Sequence, residues 1–165
     1  MVYKSEGNVA LVTGVTGQDG AFLAKTLVDC GIRVYGGVRR GSSPKNDRLK
    51  RLEVFDKITF VPLEITEFSN VMQVLSDVRP NYIFNLAAQS FVVDSFRHPI
   101  ITTQINYIGV LNILESMRIL KLDAKIFQPS SSEMYSSCLL YTSDAADDTP
   151  CVDLGGRRII KKNCT

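Results

Sequence analysis

Five short apolar runs separated by helical stretches constrain this chain more than any other feature of it. The runs are NVALVT (residues 8–13), RVYGGV (33–38), ITFVPL (58–63), YIFNLA (82–87) and KIFQP (125–129), each of strand length and most of them rich in β-branched or aromatic side chains. Between them, apolar residues recur at helical spacing in AFLAKTLVDC (21–30), FSNVMQVLSDV (68–78) and ITTQINYIGVLNILESMRIL (101–120). Such alternation predicts an α/β domain, a parallel sheet whose right-handed crossovers place helices on both faces. Strands that are apolar along nearly their whole length fit burial on both sides better than one wet face. The expected fold is a doubly wound parallel sheet, with a ligand crevice outside the carboxyl ends of its strands.

A chain of 165 residues with 45% hydrophobic and 22% charged residues has the composition of one soluble globular domain. Nineteen basic residues against 17 acidic ones give a formal charge of +2, which provides no broad basic field for nucleic acid or an acidic membrane. No apolar run approaches the roughly 18 to 20 residues of a membrane span. The N-terminal MVYKSEGN lacks the apolar core of a secretory signal, so a cytoplasmic location is expected. The four cysteines form no CxxC pair, and no metal site is expected. Cys30, at the end of a helical stretch, is expected to be a small buried hydrophobe.

The turn TGVTGQDG (residues 13–20) leaves the first strand and opens the first helix, with glycines at Gly14, Gly17 and Gly20. Without Cβ atoms at Gly14 and Gly17, the backbone turns tightly and comes close to a pyrophosphate, which meets the open N–H groups and positive end of the helix. In this strand-turn-helix context the spacing points to dinucleotide binding. The turn as a whole, Gly14, Val15, Thr16, Gly17, Gln18, Asp19 and Gly20, is assigned to the cofactor. An acid at the end of the second strand would accept from the ribose 2′-hydroxyl of NAD, but this chain has VRRGSS (38–43) there. Arg39 and Arg40 suit a 2′-phosphate, with Ser42 as an added donor, so NADP is favoured over NAD.

Four motifs in register, GVTGQDG (14–20), VRRGSS (38–43), NLAAQS (85–90) and SSSEMY (130–135), resemble the GDP-mannose 4,6-dehydratase family of extended short-chain dehydrogenase/reductases. The resemblance covers about residues 8 to 135 and implies a Rossmann fold, NADP, a GDP-mannose substrate and a homo-oligomeric parent. It also implies a reaction in which hydride leaves C4 of the sugar, a carboxylate takes the acidified C5 proton, C6 loses water and the hydride returns to C6. Glu133 matches the C5 base and C6 acid, and Ser131 matches the residue that hydrogen-bonds the sugar 4-hydroxyl. Leu86, Ala87, Ala88, Gln89 and Ser90 match the loop that lines the cofactor. Near the adenine the family has Asp and an apolar residue, where this chain has Glu64 and Ile65, a longer carboxylate. The family's Tyr-x-x-x-Lys pair has no counterpart, since no Tyr here has a Lys four residues on.

Residues 137–165 hold no sustained periodicity. CLLYTSDAAD (138–147) back-translates into a sequence resembling a transposase-derived adapter used in DNA library preparation, and CVDLGGRRII (151–160) resembles the outer part of such an adapter in the same frame. On this reading residues 1–136 are a partial NADP-binding domain, truncated after the fifth strand. The segment 137–165 is then an adapter-coded tail with no native domain. The chain as given is expected to be the inactive cofactor half of a dehydratase. Two alternatives stay open: another nucleotide-sugar epimerase, dehydratase or reductase of the same family, and a non-catalytic NADP-binding sensor.

Overall fold

The structure is a computed structural model and describes residues 7–39 and 47–130. Residues 1–128 form one compact unit and residues 129–165 a second, of which only Pro129 and Ser130 are described. In the first unit the strands β1 (Val9–Thr13), β2 (Arg33–Val38), β3 (Ile58–Pro62), β4 (Tyr82–Asn85) and β5 (Lys125–Phe127) form one sheet in the order β3-β2-β1-β4-β5. Every pairing is parallel; β1 sits between β2, with Thr13 opposite Gly37, and β4, with Thr13 opposite Asn85. The α/β fold expected from the alternation is the fold found.

Successive residues of a strand face opposite sides of the sheet, so a central strand needs two cores. On one side Val9 and Leu11 of β1 and Ile83 of β4 pack under helix α3 (Phe68–Val78), through Val71, Val74, Leu75 and Val78, and under Ile113. On the other side Ala10 and Val12 meet Ala21, Ala24 and Leu27, three residues of the first helix, α1 (Gln18–Asp29). The same layer holds Leu49 of a short second helix, α2 (Asp47–Arg51). All five residues of β1 are buried, as its unbroken apolar sequence demands. The outer strand β5 departs from that expectation: its residues are exposed or half-buried, and Phe127, with Phe84 of β4 as its ring neighbour, is 48% exposed.

After β4 the chain forms α4 (Val92–Arg97) and then α5 (Pro99–Thr103), a π-helical turn over Gln104–Ile108 and α6 (Gly109–Ile119) without a break. The long periodic stretch 101–120 is thus one rod with an inserted π-turn. The short helices α2 and α4 were not legible in the sequence. Helix α1 starts three residues before the expected 21 and ends at Asp29, where Gly31 takes a φ of 75°. There the N–H of Ile32 donates to the Leu27 carbonyl and that of Gly31 to Val28, a Schellman exit. Cys30 corrects its expectation: it lies in this exit turn and is exposed, because the core-facing stripe of α1 has already ended at Leu27. Among the described residues no helix is long and apolar enough to cross a membrane.

Ile83 is fully buried in the middle of β4 and belongs to the core under α3. Ile83→Ala is expected to destabilise the domain by about 2 to 5 kcal/mol, read as a lower urea midpoint at unchanged slope.

Candidate functional site: the carboxyl edge between β1 and β4

At the carboxyl edge of the sheet, the chain leaving β1 turns into α1 towards β2 and the chain leaving β4 goes on towards β5, the reversal of strand order at which such sheets have their ligand crevice. Its floor is a chain of polar contacts, buried at Thr13 and Asn85. The Ala87 N–H donates to Oγ1 of Thr13 (2.9 Å), the Thr13 hydroxyl donates to Oδ1 of Asn85 (2.7 Å), and Nδ2 of Asn85 donates to Oε1 of Gln128 (2.7 Å). The Ala87 N–H can only donate, which makes Thr13 Oγ1 the acceptor there and leaves its proton for Oδ1 of Asn85. Thr13 and Asn85 are 2% and 1% exposed, so these bonds satisfy groups that water does not reach.

Above that floor lies the glycine turn. Gly14 has a φ of 64°, and a Cβ there would stand 2.9 Å from the Leu86 carbonyl oxygen; a Cβ on Gly20 would stand 2.3 Å from the carbonyl oxygen of Gly14. The turn therefore closes on the β4 loop only with glycine at both places. The Gly17 N–H donates to the Gly14 carbonyl, and Gly17 starts α1 with no side-chain cap. The first-turn N–H groups of Gln18, Asp19 and Gly20 have no partner further back in the helix, which is the arrangement that receives a phosphate. The bare backbone and uncapped helix start fit a pyrophosphate.

The β4 loop is held from the other side by the π-turn. The Gln89 N–H donates to Oδ1 of Asn106 (2.8 Å), and Nδ2 of Asn106 donates back to the Gln89 carbonyl (2.9 Å). On the β3 side, the Glu64 N–H donates to Asn70, Thr66 donates to the Glu64 carboxylate, and buried Asn112 of α6 donates to the Ile65 carbonyl (2.8 Å). At the glycine turn itself, Nη1 of Arg48 on α2 donates to the Thr16 carbonyl (3.4 Å).

With that geometry in view, comparison with known proteins decides the family. The sequence model of the GDP-mannose 4,6 dehydratase family matches residues 11–150. The chain belongs to that family. A GDP-mannose 4,6-dehydratase of Vibrio cholerae is 37% identical over 148 residues, 86% of this chain and 39% of the relative; the human GDP-mannose 4,6 dehydratase is 35% identical, over 78% of this chain and 37% of its own. The chain thus spans less than two-fifths of the length of these relatives. Among solved structures, a UDP-glucose 4-epimerase of Thermotoga maritima crystallised with UDP-glucose superposes with a TM-score of 0.59 at 31% identity, covering 69% of this chain and 35% of that one.

The fold brings together much of what family membership suggests. Gly14, Thr16, Gly17, Gln18, Asp19 and Gly20 surround the start of α1, and Leu86, Ala87, Ala88, Gln89 and Ser90 form the facing loop. The side chains of Val15 (0% exposed) and Ile65 (6%) point into the cores, so these two have only backbone to offer a ligand. Arg39 is exposed just past β2, and Glu64 lies just past β3. Arg40, Ser42, Ser131 and Glu133 lie outside the described residues. Sequence reasoning missed Thr13, Asn85, Asn106, Asn112, Gln128 and Arg48, whose partners are distant in the chain.

Thr13→Val removes the hydroxyl at nearly constant shape and leaves the part-buried Ala87 N–H and the buried Asn85 Oδ1 without their partner. The expected cost is about 1 to 3 kcal/mol per unsatisfied group, with faster hydrogen exchange at the Ala87 amide. Urea unfolding and amide exchange on the same protein check both.

Proposed function

We propose that this chain is the cofactor-binding half of an NADP-dependent GDP-mannose 4,6-dehydratase acting in the cytoplasm. The reaction would convert GDP-mannose to GDP-4-keto-6-deoxymannose and water. The observation that carries the reading is the closure of the glycine turn on the Leu86 carbonyl, in a chain of this family. When bound, NADP supplies an acceptor for the sugar's hydride and later returns it.

The chain's own residues divide the remaining work. The N–H groups at the start of α1 hold the pyrophosphate, and Arg39, Arg40 and Ser42 hold the 2′-phosphate. Loop residues 86–90 line the cofactor. Ser131 hydrogen-bonds the sugar 4-hydroxyl. Glu133 takes the C5 proton and then gives it to the departing C6 hydroxyl, so that one carboxyl serves as base and acid and no proton is gained or lost. The likeness to a UDP-glucose 4-epimerase favours an epimerase as the second reading. Glu133 speaks against it, because an epimerisation at C4 removes no C5 proton. We further propose that residues 137–165 are adapter-coded, so that the source gene departs from this sequence soon after Tyr135.

If Arg39 and Arg40 hold the 2′-phosphate, replacing both with Ala should weaken NADP by about 1.5 to 3 kcal/mol per lost contact and barely change NAD, as measured by titration calorimetry. Equal affinities in the unmutated chain would remove the NADP assignment.

Reading the source gene past Tyr135 should reveal a Tyr-x-x-x-Lys, and its product should consume GDP-mannose, while residues 1–165 alone should not. In that product Glu133→Gln should abolish deuterium uptake at C5 from heavy water and formation of the 4-keto-6-deoxy sugar. A Gln variant with unchanged product formation would remove Glu133 from the mechanism.

A further inference from the structure

Arg48 was not among the residues assigned to the cofactor, yet its position ties it to the glycine turn. Leu49 beside it is fully buried in the core shared with α1, which anchors α2 against that layer. Arg48 itself is exposed, and its Nη1 donates to the carbonyl of Thr16, midway between Gly14 and Gly17. A guanidinium carries five N–H donors in a rigid fork, and this single long bond of 3.4 Å uses one of them. The register of β1 with β2 sets Thr13 opposite Gly37, so the chain that continues to Arg39 runs beside the same turn. Arg48 thus meets the glycine turn directly, and Arg39 follows the strand paired beside the one that leads into it.

The side of the turn decides which part of a dinucleotide they meet. The pyrophosphate belongs to the uncapped first turn of α1, whereas the carboxyl end of β2 is where such folds read the 2′ position of the adenosine ribose. We propose that Arg48 is a further arginine for the 2′-phosphate, beside Arg39 and Arg40, and a determinant of the preference for NADP over NAD. The proposal rests on the cofactor reading above and adds a residue to it. Held at the Thr16 carbonyl, the guanidinium is already oriented before the ligand arrives, which lowers the ordering cost of binding. A cation on another element also lets the dianionic phosphate be met from a second direction.

The test is calorimetric titration of NADP and of NAD into the 165-residue chain and its Arg48→Ala and Arg48→Lys variants, with thermal unfolding of each ligand-free protein. The side chain is exposed, so unfolding midpoints are expected to stay together. Arg48→Ala should weaken NADP about tenfold or more while NAD changes by less than about twofold, and Arg48→Lys should recover part of the loss because it restores charge but not the fork. An Arg48→Ala variant that keeps the NADP preference of the unmutated chain, or that loses both dinucleotides equally, overturns the proposal and leaves the cofactor reading standing. An unmutated chain that binds NADP and NAD equally, or neither, overturns both.

Discussion

The position of β1 between β2 and β4 is the constraint on which the rest of the structure depends. A strand with a parallel neighbour on each side has no solvent face and no free edge, so it must be apolar on both sides, as the buried sequence VALVT is. Its exit is equally restricted. Because β4 lies alongside, the chain leaving Thr13 must turn away within the width of a backbone, and the turn passes so close to Leu86 that Gly14 cannot carry a side chain. The same crowding creates the crevice. Two chains diverging from adjacent strands leave bare backbone between them, and bare backbone at the start of a helix is what a phosphate needs.

Burial at this edge then demands polar partners. Thr13 and Asn85, the last residues of two apolar strands, are polar because the backbone of the β4 loop has stopped pairing in the sheet and its Ala87 N–H must go somewhere. Thr13 takes it, and the proton direction passes through Asn85 to Gln128 at the end of β5. Three strand ends are thereby joined by side chains where the ladder bonds run out. The sequence shows Thr13 as the end of one apolar run and Asn85 and Gln128 as polar residues inside two others, without saying why they are polar.

That difference describes what could and could not be read from residues alone. The strands β1 to β5, the helices α1, α3 and α6 and the glycine turn were legible because each carries a local period, composition or spacing. Helices α2 and α4 were not, because five or six residues make less than two turns; α2 buries only Leu49 and α4 buries nothing, so neither leaves a stripe. Cys30 was misjudged through one turn of phase, since the helix ended at Asp29 rather than running through it. The polar contacts of the site were illegible for another reason. Thr13 and Asn85 are 72 residues apart, Asn112 and Ile65 47 apart, and Arg48 and Thr16 32 apart, so topology alone unites them.

The π-turn shows how a local irregularity serves that topology. Gly109, Asn112, Ile113 and Ser116 form one buried stripe of α6 at helical spacing, and Gly109 lies so close to Ile65 that a Cβ would stand 2.8 Å from its Cδ1. This contact leaves little freedom to rotate the helix about its axis. An uninterrupted α-helix would continue the stripe upstream with fixed phase, whereas one residue inserted by a π-turn rotates everything before it by about 100°. The insertion lies over Gln104–Ile108 and contains Asn106, whose amide makes both bonds to the Gln89 backbone. A reciprocal pair of this kind needs the amide edge-on to an extended backbone, a stricter demand than hydrophobic packing makes. The π-turn separates the two requirements: α6 keeps the phase that fits Ile65, and Asn106 takes the phase that holds the β4 loop. A rod that were purely α-helical could meet both only by moving the β4 loop, and that loop is already fixed at its other end by Thr13.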